Sequence, residues 1–313
     1  HECKALYGKA RLVRETEPNA VGKVLQGAIT GRRSEFAKAQ IIGQDSVGGY
    51  LLSDNIQGGI IDLARDASVM SAAGVGTISI PAGESQGKLL KISGSDPAGG
   101  WVAERQDIPE DDVSLALLGY RLRKFGVLIE LSREFIETPN GPAMIEDTVR
   151  KALAAEMDRV ALVGSGAGEE PCGVSSTAGI GTITGVGDLN YDDIMNGALT
   201  VRNANREPSG AIYSPASEYK LSILKSAVEL QYLAPPAAFT SLPKHITKKA
   251  TDALAFVGQW NMCAWVIGAG GVRVEIGTSG DSYKRDCVYL RAIMPLDFVV
   301  LDPAAFCKLS GIN

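Results

Sequence analysis

The sequence predicts an α+β protein in which strand-rich regions flank one long helix. Residues 139–164 carry apolar side chains every three or four positions, the period of a helix with one buried face. Residues 76–80 and 88–92 are short runs typical of strands, and residues 287–309 are strand-like again. With 313 residues, 45% of them hydrophobic and 21% charged, the chain can bury a large core.

The N-terminal segment differs in charge from the rest. Residues 1–40 contain eight Lys or Arg and four Glu, a net charge of +4. Because the whole chain has a net charge of −5, residues 41–313 have a net charge of −9. Such a basic arm suits a neighbouring acidic surface or nucleic acid, and a solvated tail is equally compatible. It ends at the turn-rich GQDSVGG, residues 43–49. Because the chain begins at His1, we expect a processed product or a trimmed chain.

Between this boundary and residue 132 the pattern predicts one helix and then strands. Within residues 50–70, Ser53 or Asp54 can cap a helix whose apolar positions fall at helical spacing: Ile56, Ile60, Ile61, Leu63 and Ala64. A loop rich in glycine and acid, residues 93–112, follows the two short strands, and residues 113–132 form one long strand. In that strand we expect two faces, one with Tyr120, Leu122 and Lys124, the other with Arg121, Arg123 and Phe125. Two such strands enclose no core of their own and need another surface to lie on.

The rest of the chain begins with the long helix, where Pro142 suits the first turn and Gly164 ends the helix. Alternating helices and strands follow. We expect helices at 191–205 and 216–227, and strands at 210–215, 258–268, 271–277 and 287–309.

The glycine-rich stretch LVGSGAGEEPCGV, residues 162–174, looks at first like a phosphate-binding loop. Such a loop needs a strand before the glycines and a helix after them, so that helix N-terminal amides face the phosphate. Here a helix precedes the glycines, and Glu169 and Glu170 stand where a phosphate would bind. We therefore interpret the glycines as a helix stop and turns.

No other pattern indicates catalysis, and we expect no enzyme activity, cofactor or metal site. His245, flanked by lysines, is interpreted as an exposed loop residue, and residues 109–112 (PEDD) as an exposed acidic loop rather than a cation site. A pair of catalytic carboxylates stays open, because their spacing depends on the fold. The five cysteines lack metal-site spacing and are expected to be buried or half-buried free thiols. No apolar run is long enough to cross a membrane.

The order of several segments resembles the major capsid protein family of tailed phages, which has the Hong Kong 97 fold. The resemblance covers residues 48 to the C-terminus. Its segments are GGYLLSDNIQGGIIDLARDASVM, GGWVAERQDIPEDD, VLIELSREFIETPNGPAMIEDTVRKALAAEMDRVALVGSGAGEEPCGV and VYLRAIMPLDFVVLDPAAFCKL.

The resemblance implies a layout of four parts. They are an N-terminal arm (1–47), an extended hairpin loop (75–128), a peripheral domain with the long spine helix (48–74, 129–174 and 269–313) and an axial domain (175–268). It also implies that the hairpin lies on an adjacent subunit and that the axial domain surrounds five-fold and six-fold axes. One family member joins its subunits by isopeptide crosslinks between Lys and Asn, assisted by Glu. Here the matching positions hold Ile108, Ser282 or Asp286, and Tyr289, so no such crosslink is expected.

The implied function is a capsid protein that self-assembles as pentamers and hexamers into an icosahedral or prolate shell around double-stranded DNA. The implied partners are further copies of the chain, DNA bound non-specifically inside, portal and decoration proteins, and a scaffolding segment and maturation protease during assembly in the host cytoplasm. A nanocompartment shell of the encapsulin type and an enzyme with a carboxylate site are the alternatives. Our candidates for contacts between subunits are Trp101, Arg105, Arg121, Arg123, Glu130, Arg133 and Glu134.

Overall fold

The computed structural model describes residues 41–44, 49–52, 68–92, 101–102, 105, 115–132, 134, 141–225, 231–269, 273–277 and 285–313. The helices are α1 (Val69–Ala73), α2 (Gly141–Val163), α3 (Tyr191–Asn203), α4 (Pro215–Ser222) and α5 (Ala237–Ser241). The strands are β1 (Ile41–Gln44), β2 (Gly49–Leu52), β3 (Gly76–Ile80), β4 (Gln86–Ile92), β5 (Leu115–Arg121), β6 (Arg123–Ser132), β7 (Gly181–Ile183), β8 (Gly210–Tyr213), β9 (Lys244–Ile246), β10 (Leu254–Gly258), β11 (Cys263–Gly268), β12 (Arg273–Gly277), β13 (Cys287–Val300) and β14 (Phe306–Ser310). Short 3₁₀ turns lie at Val174–Ser176, Trp260–Met262 and Pro303–Ala305.

The larger sheet is organised around β13, a strand of 14 residues. Its first part lies between β6 and β12, and its last part pairs with β11, all antiparallel. The sheet continues through β2 and β1 on one side and through β3, parallel to β11, on the other. Alternate β13 residues are buried from Val288 to Leu296, so one face of this strand is turned to a core.

Helix α2 covers that core. Its apolar stripe, predicted from the sequence, is buried at Ile145, Val149, Leu153 and Met157 and packs with the inward residues of β13 and β11. The helix ends at Val163, so the predicted end at Gly164 is confirmed. Because a continuous apolar stripe faces one sheet, the position of α2 is set by side chains along most of its length.

The smaller sheet has the order β7-β14-β10-β8-β9, and α3 packs against it. Gly197 of α3 lets the helix approach closely, because an added Cβ would lie 3.1 Å from the Val257 side chain. Trp260 lies in the core between the two sheets. It is fully buried, its Nε1 donates to the Gly210 carbonyl (3.0 Å), and it packs edge-on to Phe306.

Asp158 ties α2 to α1. Its carboxylate accepts hydrogen bonds from the Ser68 hydroxyl (2.5 Å) and from the backbone N–H groups of Val69 (3.0 Å) and Met70 (3.1 Å). Burial raises the pKa of Asp158 even though these donors favour its charged form. The N-terminus of the short helix α1 is thus held by a side chain from the C-terminal part of α2.

Three sequence predictions need correction. The expected single strand over 113–132 is two strands. The N–H of Leu122, between them, donates to Ser85 O (2.8 Å) where the chain leaves β4 to pair with β13. Consequently Tyr120 and Leu122 both face inward, but Lys124, predicted on their face, is exposed, and Phe125, predicted on the opposite face, packs against the core.

The other two corrections concern one helix end and His245. The helix predicted after Ser53 or Asp54 lies outside the described residues, and a short helix begins at Val69, where Ser68 is extended and caps it. The helix expected over 216–227 ends at Ser222. His245 lies in the edge strand β9, half-buried, rather than in an exposed loop, because that strand pairs in parallel with β8. Burial lowers the pKa of its imidazole.

Candidate assembly surfaces

The hairpin β4–β5 has one covered face and one open face. Near its base, Leu89, Leu118 and Tyr120 pack on Val266 and Val299 of the same subunit's larger sheet. The Tyr120 ring also lies across Gly87, where an added Cβ would lie 2.3 Å from the Tyr120 hydroxyl oxygen. The base of the hairpin therefore has a surface to lie on within its own chain, which the sequence did not predict.

On the opposite face of the hairpin, apolar side chains point into solvent. Leu90 and Leu117 are directly opposed across the two strands and are 67% and 59% exposed. A two-stranded sheet is marginally stable by itself, and an exposed apolar cross-strand pair leaves apolar area that another molecule can bury. This face is available to another molecule.

Two arginines fix the hairpin base to the body. Arg121 donates to both carboxylate oxygens of Glu169 (2.9 and 3.1 Å) in an exposed pair. Arg123 donates to Asp297 (2.9 Å), and Asp297 also accepts the backbone N–H of Arg121 (2.9 Å). The Arg123 and Asp297 side chains are only 16% and 6% exposed. Burial raises the pKa of Asp297, and the hydrogen bonds it accepts partly offset that effect.

The glycine-rich loop closes on itself at the end of α2. Gly173 N–H donates to Gly164 O (3.0 Å), and Gly166 N–H donates to Pro171 O (3.2 Å). Neither outer glycine has room for a side chain: a Cβ on Gly164 would lie 2.4 Å from Pro171 O, and one on Gly173 would lie 2.5 Å from Val160 O. Gly166 and Gly168 adopt positive φ angles of 70° and 63°. The glycines end the helix and make turns, as the sequence predicted, and Gly164 and Gly173 also allow close backbone contact, which it did not.

Acidic side chains of this loop pair with cations of the protein. Glu170 accepts hydrogen bonds from Ser165, through both its hydroxyl and its N–H (3.1 Å), and from Arg159 (2.5 Å). The Ser165 hydroxyl and Arg159 lower the pKa of Glu170 to about 2. Arg159 is held in turn by Glu156 (2.6 Å). The Glu170 carboxylate already occupies the hydrogen-bond donors of Ser165 and Arg159, so a phosphate at this loop would meet negative charge.

A cleft of about 340 Å³ lies between the hairpin base, α2 and this loop. Its apolar lining comes from Phe125, Met157, Val160 and Leu296, which are buried or half-buried. Among the charged side chains that line it, Lys124 is exposed and Arg159 is half-exposed, whereas Arg123 is largely buried. The cleft thus combines an apolar floor with a charged rim.

A second exposed apolar surface belongs to the smaller-sheet half of the molecule. Tyr219 and Ile223, one helical turn apart, are 65% and 42% exposed, and Tyr232 is 68% exposed beside Lys225, whose ammonium lies 5.0 Å from the ring centre. Lys225 and Tyr232 also form a backbone bridge. These side chains cluster at the end of α4.

The predicted contact residues fall into two groups. Trp101, Arg105, Glu130 and Glu134 are exposed, and Arg105 has a positive φ of 68°. Arg121 and Arg123 have the intrachain carboxylate partners described above, so the pair made by Arg123 lies inside the subunit. Arg133 lies outside the described residues, as do the predicted acidic loop 109–112 and most of the basic arm.

The described part of the chain contains no group of three or more His, Cys, Asp and Glu that could hold a metal ion. Cys172 and Cys287 are half-buried free thiols and Cys263 and Cys307 are buried ones, as predicted, while Cys3 is not described. Burial raises the pKa of the Cys263 and Cys307 thiols. Across the described residues, no helix is both long and apolar enough to span a membrane.

This combination of a long helix on a sheet, a protruding hairpin and a second sheet defines the class as the Hong Kong 97 fold. Three solved structures with this arrangement show the likeness. A chain from Mycobacterium phage Adephagia has a TM-score of 0.60 at 16% identity and covers 79% of this chain and 90% of its own. A chain from Mycobacterium phage Ogopogo has a TM-score of 0.58 at 17% identity, with 87% and 94% covered. A virus-like particle from Pyrococcus furiosus has a TM-score of 0.55 at 14% identity, with 82% and 98% covered.

The family is shown by comparison of the sequence with models of protein families. The profile of the phage capsid family matches residues 48–311, which is most of the chain. The chain therefore belongs to the phage capsid family, and it is a structural protein of the capsid shell, as the resemblance predicted. A search of curated protein sequences found no match.

Proposed function

We propose that this chain is a major capsid protein that self-assembles as pentamers and hexamers into an icosahedral or prolate shell enclosing double-stranded DNA. The family match over residues 48–311 carries the proposal. The open faces support it, because a subunit that exposes apolar side chains on a hairpin and at the end of α4 gains stability when copies cover them. Many modest symmetric contacts then sum to a stable particle.

In this proposal each part of the molecule has an assembly role. The larger sheet with α2 forms the peripheral domain, and the smaller sheet with α3 forms the axial domain around the symmetry axes. The hairpin lies with its Leu90 and Leu117 face on the adjacent subunit, and the basic arm of residues 1–47 extends over a neighbour. Arg105, Glu130, Arg133 and Glu134 contribute ion pairs between subunits, whereas Arg121 and Arg123 pair within their own subunit.

The body's net charge of −9 outside residues 1–40 suits a DNA container. A wall with excess negative charge binds the packaged genome weakly and non-specifically, which favours release. Portal and decoration proteins bind the finished shell, and a scaffolding segment and maturation protease act during assembly in the host cytoplasm. The positions that match a crosslinking relative hold Ile108, Asp286 or Ser282, and Tyr289, so the shell is held by non-covalent contacts.

Two measurements on purified particles test this proposal. Nuclease-treated particles from infected cells should retain double-stranded DNA, and boiled, reduced particles should give one band at the size of a single subunit. Particles that never contain DNA would contradict the first part. A covalent ladder would contradict the second.

The second candidate is a nanocompartment shell of the same fold that encloses a protein cargo. The likeness to the virus-like particle from Pyrococcus furiosus favours it, because that chain is covered over 98% of its length. The two candidates separate by content, since a nanocompartment should hold a stoichiometric protein and no genome.

A further inference from the structure

We propose that Trp101 of one subunit inserts into the cleft beside α2 of an adjacent copy. The inference rests on the proposed function and names one contact that would join neighbouring subunits. It starts from two features of the chain: Trp101, whose side chain is fully exposed, and an apolar cleft large enough for one large side chain.

Trp101 is the tryptophan that the subunit leaves in solvent. Its side chain is fully exposed, whereas Trp260 and Trp265 are 0% and 3% exposed. Tryptophan is among the residues most enriched as buried anchors of protein interfaces, because one side chain removes a large apolar area from water. An exposed tryptophan on a protruding hairpin therefore points to an interface.

The cleft has the size and lining for such an anchor. Its volume of about 340 Å³ lies at the lower end of ligand pockets, which suits one large side chain. Met157, Val160 and Leu296 give it an apolar floor. Lys124 and Arg159 at the rim can lie over an indole ring, the aromatic that binds cations best.

Geometry favours the cleft of another copy. The cleft contains Arg123 and Phe125 at the hairpin base, whereas Trp101 follows the far end of β4. In its own subunit the Trp101 side chain is fully exposed, so it does not fill that subunit's cleft. Because the anchor and its receptor are different surfaces, the contact is head-to-tail and repeats around a ring, as hexamers and pentamers require.

Charge favours the same partner. Residues 103–114, which follow Trp101, carry five acids (Glu104, Asp107, Glu110, Asp111 and Asp112) and one arginine, a net charge of −4. At the cleft, Glu156 and Glu170 are paired with Arg159, and Glu169 with Arg121. Lys124 is exposed there without a carboxylate partner among the described residues. By its charge in the sequence, this acidic segment is complementary to a receptor that presents an exposed lysine.

The test uses tryptophan fluorescence of free subunits and assembled shells. The Trp101 signal is the difference between the wild-type chain and Trp101→Phe, because the other two tryptophans are buried in both. We expect the acrylamide quenching constant of Trp101 to fall about threefold or more on assembly, since a packed anchor is excluded from solvent. Its emission should also shift to shorter wavelength.

A second variant tests the receptor. Ala167 is exposed and lines the cleft, so Ala167→Phe fills it from within the subunit. Shells of this variant should fail to form or leave Trp101 as quenchable as in free subunits. Ala178→Phe, at an exposed alanine that does not line the cleft, should behave as wild type. Thermal melting of the free subunits checks that both variants fold.

A third variant keeps the test independent of Ala167. Because Trp101 is fully exposed in the subunit, Trp101→Ala should leave the free subunit's melting temperature unchanged while its shells dissociate at lower denaturant concentration. Wild-type shells in which Trp101 stays fully quenchable would overturn this inference alone, as would Ala167→Phe shells that protect Trp101. A wild-type chain that forms no shell would overturn both this inference and the proposed function.

Discussion

Replacing Gly164 with alanine should be among the most damaging single-methyl changes in this molecule. The added Cβ would lie 2.4 Å from Pro171 O and 2.5 Å from Val160 O, and both are backbone atoms that cannot rotate away. Relief requires the glycine-rich loop to move off the end of α2. That movement breaks the bonds Gly173 N–H to Gly164 O (3.0 Å) and Gly164 N–H to Val160 O (2.9 Å).

The magnitude follows from these two effects. Overpacking a close contact costs about 1–3 kcal/mol. Two backbone hydrogen bonds contribute about 0.5–1.5 kcal/mol each. The free energy of unfolding should therefore fall by about 2–6 kcal/mol in Gly164→Ala, and the denaturant midpoint should fall in proportion.

Two other glycines supply matched controls. At Gly168 nothing lies within 4 Å of an added Cβ, but φ is +63°, so Gly168→Ala should cost about 1–2 kcal/mol from backbone strain alone. At Gly277 there is open space and no positive φ, so Gly277→Ala should change stability by no more than about 1 kcal/mol. Urea unfolding of unassembled subunits measures all three. A midpoint for Gly164→Ala equal to that for Gly277→Ala would refute the packing argument.

Three further predictions concern polar contacts. Arg123→Ala leaves the buried Asp297 without its cation and should lower the free energy of unfolding by about 3–5 kcal/mol. Arg121→Ala removes an exposed ion pair and should lower it by only about 0–1 kcal/mol. Equal urea midpoints for the two variants would contradict this ranking. Ser68→Ala removes the cap of α1 and a donor to Asp158 and should lower stability by about 1–2 kcal/mol, while Ser176→Ala, at an exposed serine, should not. Because the pKa of Glu170 is lowered from 4.5 to about 2 in the folded chain, its charged form stabilises the fold above pH 4.5 and this contribution is lost as the pH falls towards 2. The melting temperature of Glu170→Gln should thus differ from that of the wild type most at about pH 6–7 and least near pH 2, and a constant difference would contradict the assigned hydrogen bonds.

Local sequence patterns were sufficient for the elements that depend on local order. The stripe of α2 and its end at Gly164 could be predicted because helical periodicity and a glycine stop are properties of neighbouring residues. The interpretation of the glycine-rich loop as a helix end and turns, rather than a phosphate site, also came from local order, because the helix precedes the glycines.

What could not be predicted depends on partners far apart in the chain. Arg123 and Asp297 are 174 positions apart, and no spacing rule connects them. The change of face at Leu122 arises because the strand leaves one partner, β4, for another, β13. The role of Asp158 was likewise hidden, because an acid within an amphipathic helix gives no sign that it caps a helix 89 positions earlier.

The cleft could not be predicted for the same reason. Its walls come from β6, from α2, from the glycine-rich loop and from β13, which meet only in the fold. Trp101, in contrast, was a contact candidate from the sequence, and its full exposure keeps it one.

A cryo-electron microscopy reconstruction of the assembled wild-type protein tests the central claim most directly. We predict closed shells built from hexamers and pentamers, in which the Leu90 and Leu117 face of each hairpin is covered by an adjacent subunit. A protein that remains a small oligomer of uniform size under assembly conditions would contradict the account, as would a shell whose hairpins contact only their own subunits.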